Sequence, residues 1–445
     1  MAGFQNLGVA KWLDEALAAM KIITPTAIQE ASIPKILQGH DFIGGAKTGS
    51  GKTVAFGAPI LTKWSEDPCG IFGLILTPTR ELAMQIAEQF SALGASMNIK
   101  VSIIVGGEDI VKQALELQRR PHFVIATPGR LADHIMNSGE DTIRGLRRVK
   151  YLVLDEADRL LSDSFQKDMK RCYDILPTNR QTLVFTATVD DNVRNLREEL
   201  GANNKPEVIV HEIENIDNVA IPKTLDISYV FIPMHVKESY LHSIVTHPDN
   251  ENKSIIVFVN RTYTAELIRR TLRHLDQRVT SLHSEMQQTE RVNSLHRFKA
   301  EAARILVATD LVSRGLDIPT VQLVINYDMP QDPADYIHRV GRTARAGRKG
   351  ESISFVTDRD VEKVLRIEER IGKKMDKYEK VSDNRVINNS LTKTTKAKRE
   401  SMMEMESEGF GEKRKINRRK RERSGGNNQH KVSKPKNKKS TKTAN

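Results

Sequence analysis

The sequence predicts an α/β chain of two tandem domains, each a mostly parallel sheet flanked by helices, followed by a basic tail with too few apolar residues to build a core. Three observations carry this. Short, uninterrupted apolar runs recur along the chain, each leading into a polar or glycine-rich signature; the series lapses over residues 212–224 and then begins again; and positive charge gathers beyond residue 411. Continuous rather than alternating apolar runs mark strands covered on both faces. Amphipathic stretches such as residues 81–93 separate them, which is the layout of a βαβ series.

Taken in order, residues 72–76 lead into Thr77-Pro78-Thr79-Arg80-Glu81-Leu82, residues 101–105 into Gly106-Gly107, and residues 123–126 into Thr127-Pro128-Gly129-Arg130. Residues 151–154 lead into Asp155-Glu156-Ala157-Asp158, and residues 182–185 into Thr186-Ala187-Thr188. After the break, residues 254–260, 304–310 and 321–327 read as buried strands of a second domain. The expected boundaries are 1–211 for the first domain, 212–224 for a polar linker holding Pro222, 225–373 for the second domain and 374–445 for a charged, largely disordered tail.

The stretch Ala46-Lys47-Thr48-Gly49-Ser50-Gly51-Lys52-Thr53 meets the requirements of a phosphate loop, although the strict pattern has glycine where Ala46 stands. Glycines at 49 and 51 let successive backbone N–H groups face anionic oxygens, and Lys52 and Thr53 open a helix. That places an ammonium near β- and γ-phosphates and a hydroxyl on Mg²⁺. An ordinary Gly/Ser/Lys surface turn is the bland alternative. Asp155 and Glu156 emerge where a buried strand ends, which is where open parallel sheets bind ligands. Phosphoryl transfer needs one acid for the metal and another group to orient water, so Asp155 fits the first role and Glu156 the second. Read blandly, four such residues are a solvated helix start. Far downstream, Arg339, Arg342, Arg345 and Arg348 form a row of planar, permanently charged forks suited to phosphoryl oxygens, or else a solvated basic loop.

With these motifs in this order, residues 4–370 resemble the DEAD-box RNA helicases. The wording Gly45-Ala46-Lys47-Thr48-Gly49-Ser50-Gly51-Lys52-Thr53, the short core and the basic tail further resemble the fungal nucleolar members that act in small-ribosomal-subunit assembly. The resemblance implies two RecA-like domains, ATP with Mg²⁺, and RNA, there pre-ribosomal RNA, together with an activating protein in a pre-ribosomal particle. Gln29 falls where the family reads the adenine edge, Phe4 at its isolated upstream aromatic, and Lys21-Ile22 where a Gly-Phe pair usually stands, so that Ile22 covers the adenine face. Asp317 matches the ribose contact, Arg342 and Arg345 the arginine fingers, and Thr186, Thr188 and His338 the positions that couple hydrolysis to movement. RNA contacts by resemblance are Arg80, Gly107, Thr127, Gly129 and Arg130 in the first domain, and Arg291, Thr309 and Arg314 in the second. Few of these are aromatic, which suits backbone reading rather than base stacking.

Composition agrees. Residues 411–445 hold fourteen Lys or Arg against Glu412 and Glu422, a net of +12 that equals the formal charge of the whole chain, leaving 55 basic against 55 acidic residues elsewhere. Such a polycation raises encounter rate and affinity for RNA in a salt-dependent way. Residues 413–421 also read as a nuclear import signal, with plain RNA contact as the alternative. Two cysteines, Cys69 and Cys172, are too few for a disulfide framework and suggest a reducing compartment. No stretch has the length and apolarity of a membrane span. Two other classes fit the same domains: an ATP-gated RNA clamp or assembly scaffold without productive unwinding, and a DNA translocase.

Overall fold

The computed structural model describes residues 3–46, 50–186, 193, 208–212, 221–222, 224–310, 320–344 and 348–410. The N-terminal lobe is built on β1 (Phe42–Gly45), β2 (Gly73–Leu76), β3 (Val101–Ile104), β4 (Phe123–Ala126), β5 (Tyr151–Asp155), β6 (Gln181–Thr186) and β7 (Ile209–Glu212). They form one seven-stranded sheet in the order β3-β4-β2-β5-β6-β1-β7, every pair parallel. The C-terminal lobe repeats this plan with β8 (Leu225–Phe231), β9 (Ile255–Val259), β10 (Val279–Leu282), β11 (Ile305–Thr309), β12 (Leu323–Asn326), β13 (Gly350–Val356) and β14 (Asp376–Lys377). Their order, β10-β11-β9-β12-β13-β8-β14, is the first order shifted by seven, again all parallel.

The central strands of each sheet, among them β2, β4, β5, β9, β11 and β12, are buried on both faces, as their unbroken apolar runs require, whereas β3, β8 and β14 keep half-buried or exposed residues. In the N-terminal lobe, one face carries Phe42, Phe56, Phe90, Phe123 and Phe185, whose rings meet at 5.3–6.1 Å between centroids and lock the helix Lys52–Glu66 onto the sheet. The other face packs Leu74, Val124, Leu152 and Val184 against the helices Pro128–Asn137 and Gln166–Ile175. Among the described residues, no core cluster mixes the two lobes; both N-terminal clusters end by Val210.

The boundaries require correction. β7 reaches Glu212, which pairs with Gly45, so the first lobe runs one residue past the expected limit. More substantially, residues 374–410 are not a disordered tail. They supply β14, the helix Asp383–Val386 and the helix Thr392–Ser407, and Val381 and Val386 join the core of the C-terminal lobe. The long helix buries Thr394, Ala397, Ser401 and Met405, a helical spacing occupied mostly by small and polar residues that does not read as an apolar stripe. Residues 411–445 lie outside the described residues. Among the described residues, no helix is long and apolar enough to cross a membrane.

Candidate nucleotide and RNA site

The parallel order places the C-terminal ends of β1, β5 and β6 side by side, and the predicted phosphate chemistry gathers there. Gly51 caps the helix Lys52–Glu66 in the left-handed region, φ 89°, a conformation that favours glycine. A Cβ at this position would also lie 2.4 Å from Gln29 Nε2. The loop is clamped from outside: Thr26 Oγ1 donates to the Ser50 carbonyl at 2.9 Å and Gln29 Nε2 to the Gly51 carbonyl at 3.0 Å. Gln29 Oε1 in turn accepts from Thr26 N at 2.9 Å, closing a capping box at the start of the helix Ala27–Leu37. The Ala46 amide donates to the Thr186 carbonyl at 2.8 Å, tying the loop to the end of β6.

Two groups here look for a ligand. Ser50 Oγ is buried with no partner, an atom that costs free energy until something bonds it. Asp155, 3 % exposed at the end of β5, has its carboxyl pushed up to about 6 by burial first, with Glu156 and Asp158 adding to that and Lys52 opposing it. A carboxylate so placed favours a cation beside it, which fits the hard-oxygen coordination of Mg²⁺ shared with Thr53. Glu156 accepts a non-glycine left-handed conformation, φ 56°, at the turn from β5 into the helix Ala157–Leu160, and its amide donates to Asp155 Oδ1 at 3.1 Å. Strain of this kind concentrates at working sites.

The second lobe meets this edge. His338, on the helix Pro333–Val340, brings Nε2 to 3.4 Å from Asp158 Oδ2. Arg159 lies within electrostatic reach of Glu156 and Asp158 in its own lobe and of Asp310 in the other. Arg342 follows on the turn after that helix, 2 % exposed. Arg339, in the same basic row, works inside its own lobe. It bonds both oxygens of Asp310 at 2.6 Å, Asn260 Oδ1 at 2.8 Å and the Asp328 carbonyl at 2.6 Å, which ties the second lobe together. Lys47, Thr48, Gly49, Thr188, Arg314, Asp317 and Arg345 lie outside the described residues.

Two expected contacts are revised. Phe4 is fully enclosed in the hydrophobic core, where it has no face left for adenine. Ile22 packs half-buried against the same core. Arg291, expected on RNA, is 6 % exposed and its Nη2 is 2.5 Å from Glu81 Oε1, an ion pair between the lobes that Gln288 Nε2 joins at 3.3 Å. Sequence reasoning missed Glu81 and Gln288, whose contact runs between the lobes, and Thr26, whose bond to the Ser50 carbonyl joins segments 24 residues apart, because spacing along a chain does not reveal which distant residues meet.

The remaining RNA candidates of the first lobe lie at the C-terminal ends of β2, β3 and β4. Gly107 has φ 87°, and a Cβ there would lie 2.3 Å from Arg80 Nη1, so the glycine pair makes room for the guanidinium. Thr127 caps the helix Pro128–Asn137, which starts with Pro128 and then Gly129. Arg130 Nη1 donates to the Glu108 carbonyl at 2.9 Å and to Gln113 Oε1 at 3.1 Å, which fixes its fork. In the second lobe, Thr309 ends β11 with a buried Oγ1 that has no partner.

Comparison with known proteins matches this arrangement. The DEAD/DEAH box helicase family model matches residues 26–196, and the helicase conserved C-terminal domain matches residues 236–347. The chain is 69% identical over 421 residues to the ATP-dependent RNA helicase DBP8 of Debaryomyces hansenii, covering 94% of this chain and 96% of that protein. It is 63% identical over 422 residues to DBP8 of Saccharomyces cerevisiae S288c, covering 94% and 98%. Among solved structures, S. cerevisiae Dbp5 bound to RNA and ADP BeF3 superposes with a TM-score of 0.73 at 29% identity, covering 89% of this chain and 100% of that one. Mss116p bound to ssRNA and AMP-PNP gives 0.77 at 29% identity, covering 88% and 82%.

Proposed function

Because the chain belongs to the DEAD-box ATP-dependent RNA helicases, we infer that it works by reciprocal closure, in which ATP and RNA each bind across both lobes and each favours the other's binding. The observation that carries this is the division of the site: Ser50, Lys52, Asp155 and Glu156 stand on one lobe, while His338 meets that lobe from the other, which also carries Arg342. Ser50, Gly51 and Lys52 receive the phosphates, and Gln29, already bonded to the loop, stands beside them for the base. Mg²⁺, held through Asp155 and Thr53, would neutralise charge on the β- and γ-phosphates. Glu156 orients the attacking water and accepts its proton. Arg342, with Arg345, supplies the guanidinium charge that the transferring phosphoryl group needs, so hydrolysis waits for closure. On the other edge, Arg80 over the Gly106-Gly107 turn and Thr127 hold the RNA backbone. Closure bends that strand away from its complement, unwinding is local, and loss of the γ-phosphate releases it.

In the cell this reading assigns the enzyme to small-subunit pre-rRNA processing in the nucleolus, with an activating protein in the pre-ribosomal particle. It is supported by the resemblance of the phosphate-loop wording, short core and basic tail to nucleolar members. Sequencing RNA crosslinked to the protein in cells tests it: reads concentrated on pre-rRNA are expected, and reads spread over messenger RNA contradict it. For the chemistry, Glu156→Gln should keep ATP-dependent RNA binding and lose about 10²–10⁴ in turnover, the usual worth of a positioned base. Turnover near that of the unaltered enzyme would remove Glu156 from the water-orienting role.

A further inference from the structure

At the floor of the N-terminal lobe, the N-terminal ends of β5 and β6 and the turn before β1 line an open cleft of about 650 Å³. Arg147, Arg148, Lys150 and Arg180 line it, with Asp41 as the carboxylate and Asn179 as an amide among them. Arg147 keeps a salt bridge to Glu140 at 3.0 Å and Lys150 one to Asp67 at 2.7 Å, both exposed pairs that a stronger anion can displace at little cost. Arg148 is exposed. The neighbouring strands continue the pattern, with exposed Lys100 before β3 and exposed Arg119 and Arg120 just ahead of β4. The floor is therefore a basic edge at the pole of the sheet opposite the nucleotide.

We propose that this cleft is a second RNA-backbone site, which holds a structured segment flanking the strand being unwound. The proposal rests on the helicase reading above. Arginine forks and a lysine beside an amide are the groups that bind phosphates without reading bases. A protein partner fits less well, because the apolar side chains Val149 and Tyr151 are themselves buried and offer no anchor of the kind that dominates peptide affinity. The five residues of β5 separate floor from catalytic edge, roughly 16 Å at the rise of a strand, so the two sites take different parts of one RNA. The site adds affinity for RNA that carries structure beside its single-stranded tract, and leaves chemistry on a bare strand unchanged.

The test uses the full chain with Arg147→Gln and Arg148→Gln together; both residues are exposed, so folding should be kept, as a melting curve verifies. Two RNAs are compared, a short single strand that fills only the core groove and the same strand joined to a stable hairpin. The double variant should bind the hairpin RNA about tenfold more weakly at low salt, with the slope of log affinity against log salt flatter by roughly 2, because two counterion-releasing contacts are gone. Binding of the short strand, and ATP hydrolysis on it, should not change. Equal losses on both RNAs, or no loss on either, overturn the proposal. So does binding of polyglutamate that the double variant loses while both RNA affinities hold, which would mark a surface for an acidic protein. If the unaltered chain does not hydrolyse ATP on the short strand, the helicase reading itself fails, whatever the variant does.

Discussion

At Gly107, the φ of 87° and the 2.3 Å that would separate a Cβ from Arg80 Nη1 make one residue answerable for the place of another. Gly107→Ala should displace the guanidinium and add the cost of a left-handed alanine, about 1–2 kcal/mol. RNA affinity measured by titration should fall while ATP affinity holds; equal loss of both would mean that the lobe itself is disturbed. Gly51→Ala is the counterpart on the nucleotide edge, since its Cβ would reach Gln29 Nε2 at 2.4 Å. There the expected loss is in ATP binding, read with a fluorescent nucleotide, and RNA binding without nucleotide is spared. That the candidate residues of the first lobe gather at one end of the sheet was legible, because phosphate chemistry restricts which side chains can stand after a buried strand. Phe4 and Arg291 were not, because an aromatic ring or a guanidinium serves equally well in a core or an ion pair, and only the fold says which.

Among elements, the helix Thr392–Ser407 shows what patterning leaves out. Its Glu404 and the C-capping Glu408 seat it on the helix Thr262–His274: Glu408 takes both Nη atoms of Arg270 at 2.9 and 2.6 Å, and Glu404 meets Arg273 at 3.1 Å and His274 at 2.8 Å. Beneath them Glu266, 5 % exposed, binds Arg269, Arg270 and His283. Burial alone would raise the Glu266 carboxyl, but the hydrogen-bonded guanidinium groups of Arg269 and Arg270, with the His283 ring beside them, outweigh it and hold the group far below the ordinary carboxylate range. A depressed value in the folded state means stability that is present above the unfolded pKa of about 4.3 and lost as pH falls below it toward the folded value. Glu266→Gln should therefore cost about 3–5 kcal/mol near neutral pH, leaving Arg270 buried and half-paired. Urea unfolding of both proteins checks this: the gap should narrow as pH falls below about 4.3, and a gap independent of pH would contradict it. Glu408→Gln, at an exposed acid, should cost at most about 1 kcal/mol. Eight strands, β2 to β6, β9, β11 and β12, were legible as apolar runs, whereas β1, β7, β8, β10, β13 and β14, short or interrupted by polar residues and glycine, were not; this helix was not either, because it docks by charge and by small residues.

Over the whole molecule, one strand order is used twice, and it puts the phosphate loop, Asp155 and Glu156 on one lobe and the arginine row on the other. The tandem design was readable from the repeat of buried runs, while the contacts that join the lobes, Glu81 with Arg291 and Asp158 with His338, needed the fold. The central claim is that hydrolysis requires both lobes. Since both core clusters of the first lobe end by Val210 and β7 ends at Glu212, the described residues up to Glu212 form a unit with its own sheet and core, which the fragment 1–212 contains. The most direct measurement is the rate of ATP hydrolysis by that fragment beside the intact chain, both saturated with RNA. The account predicts that the fragment binds nucleotide and turns it over at least about 10³-fold more slowly, the lower worth of an arginine finger; a fragment that matches the intact chain would contradict it.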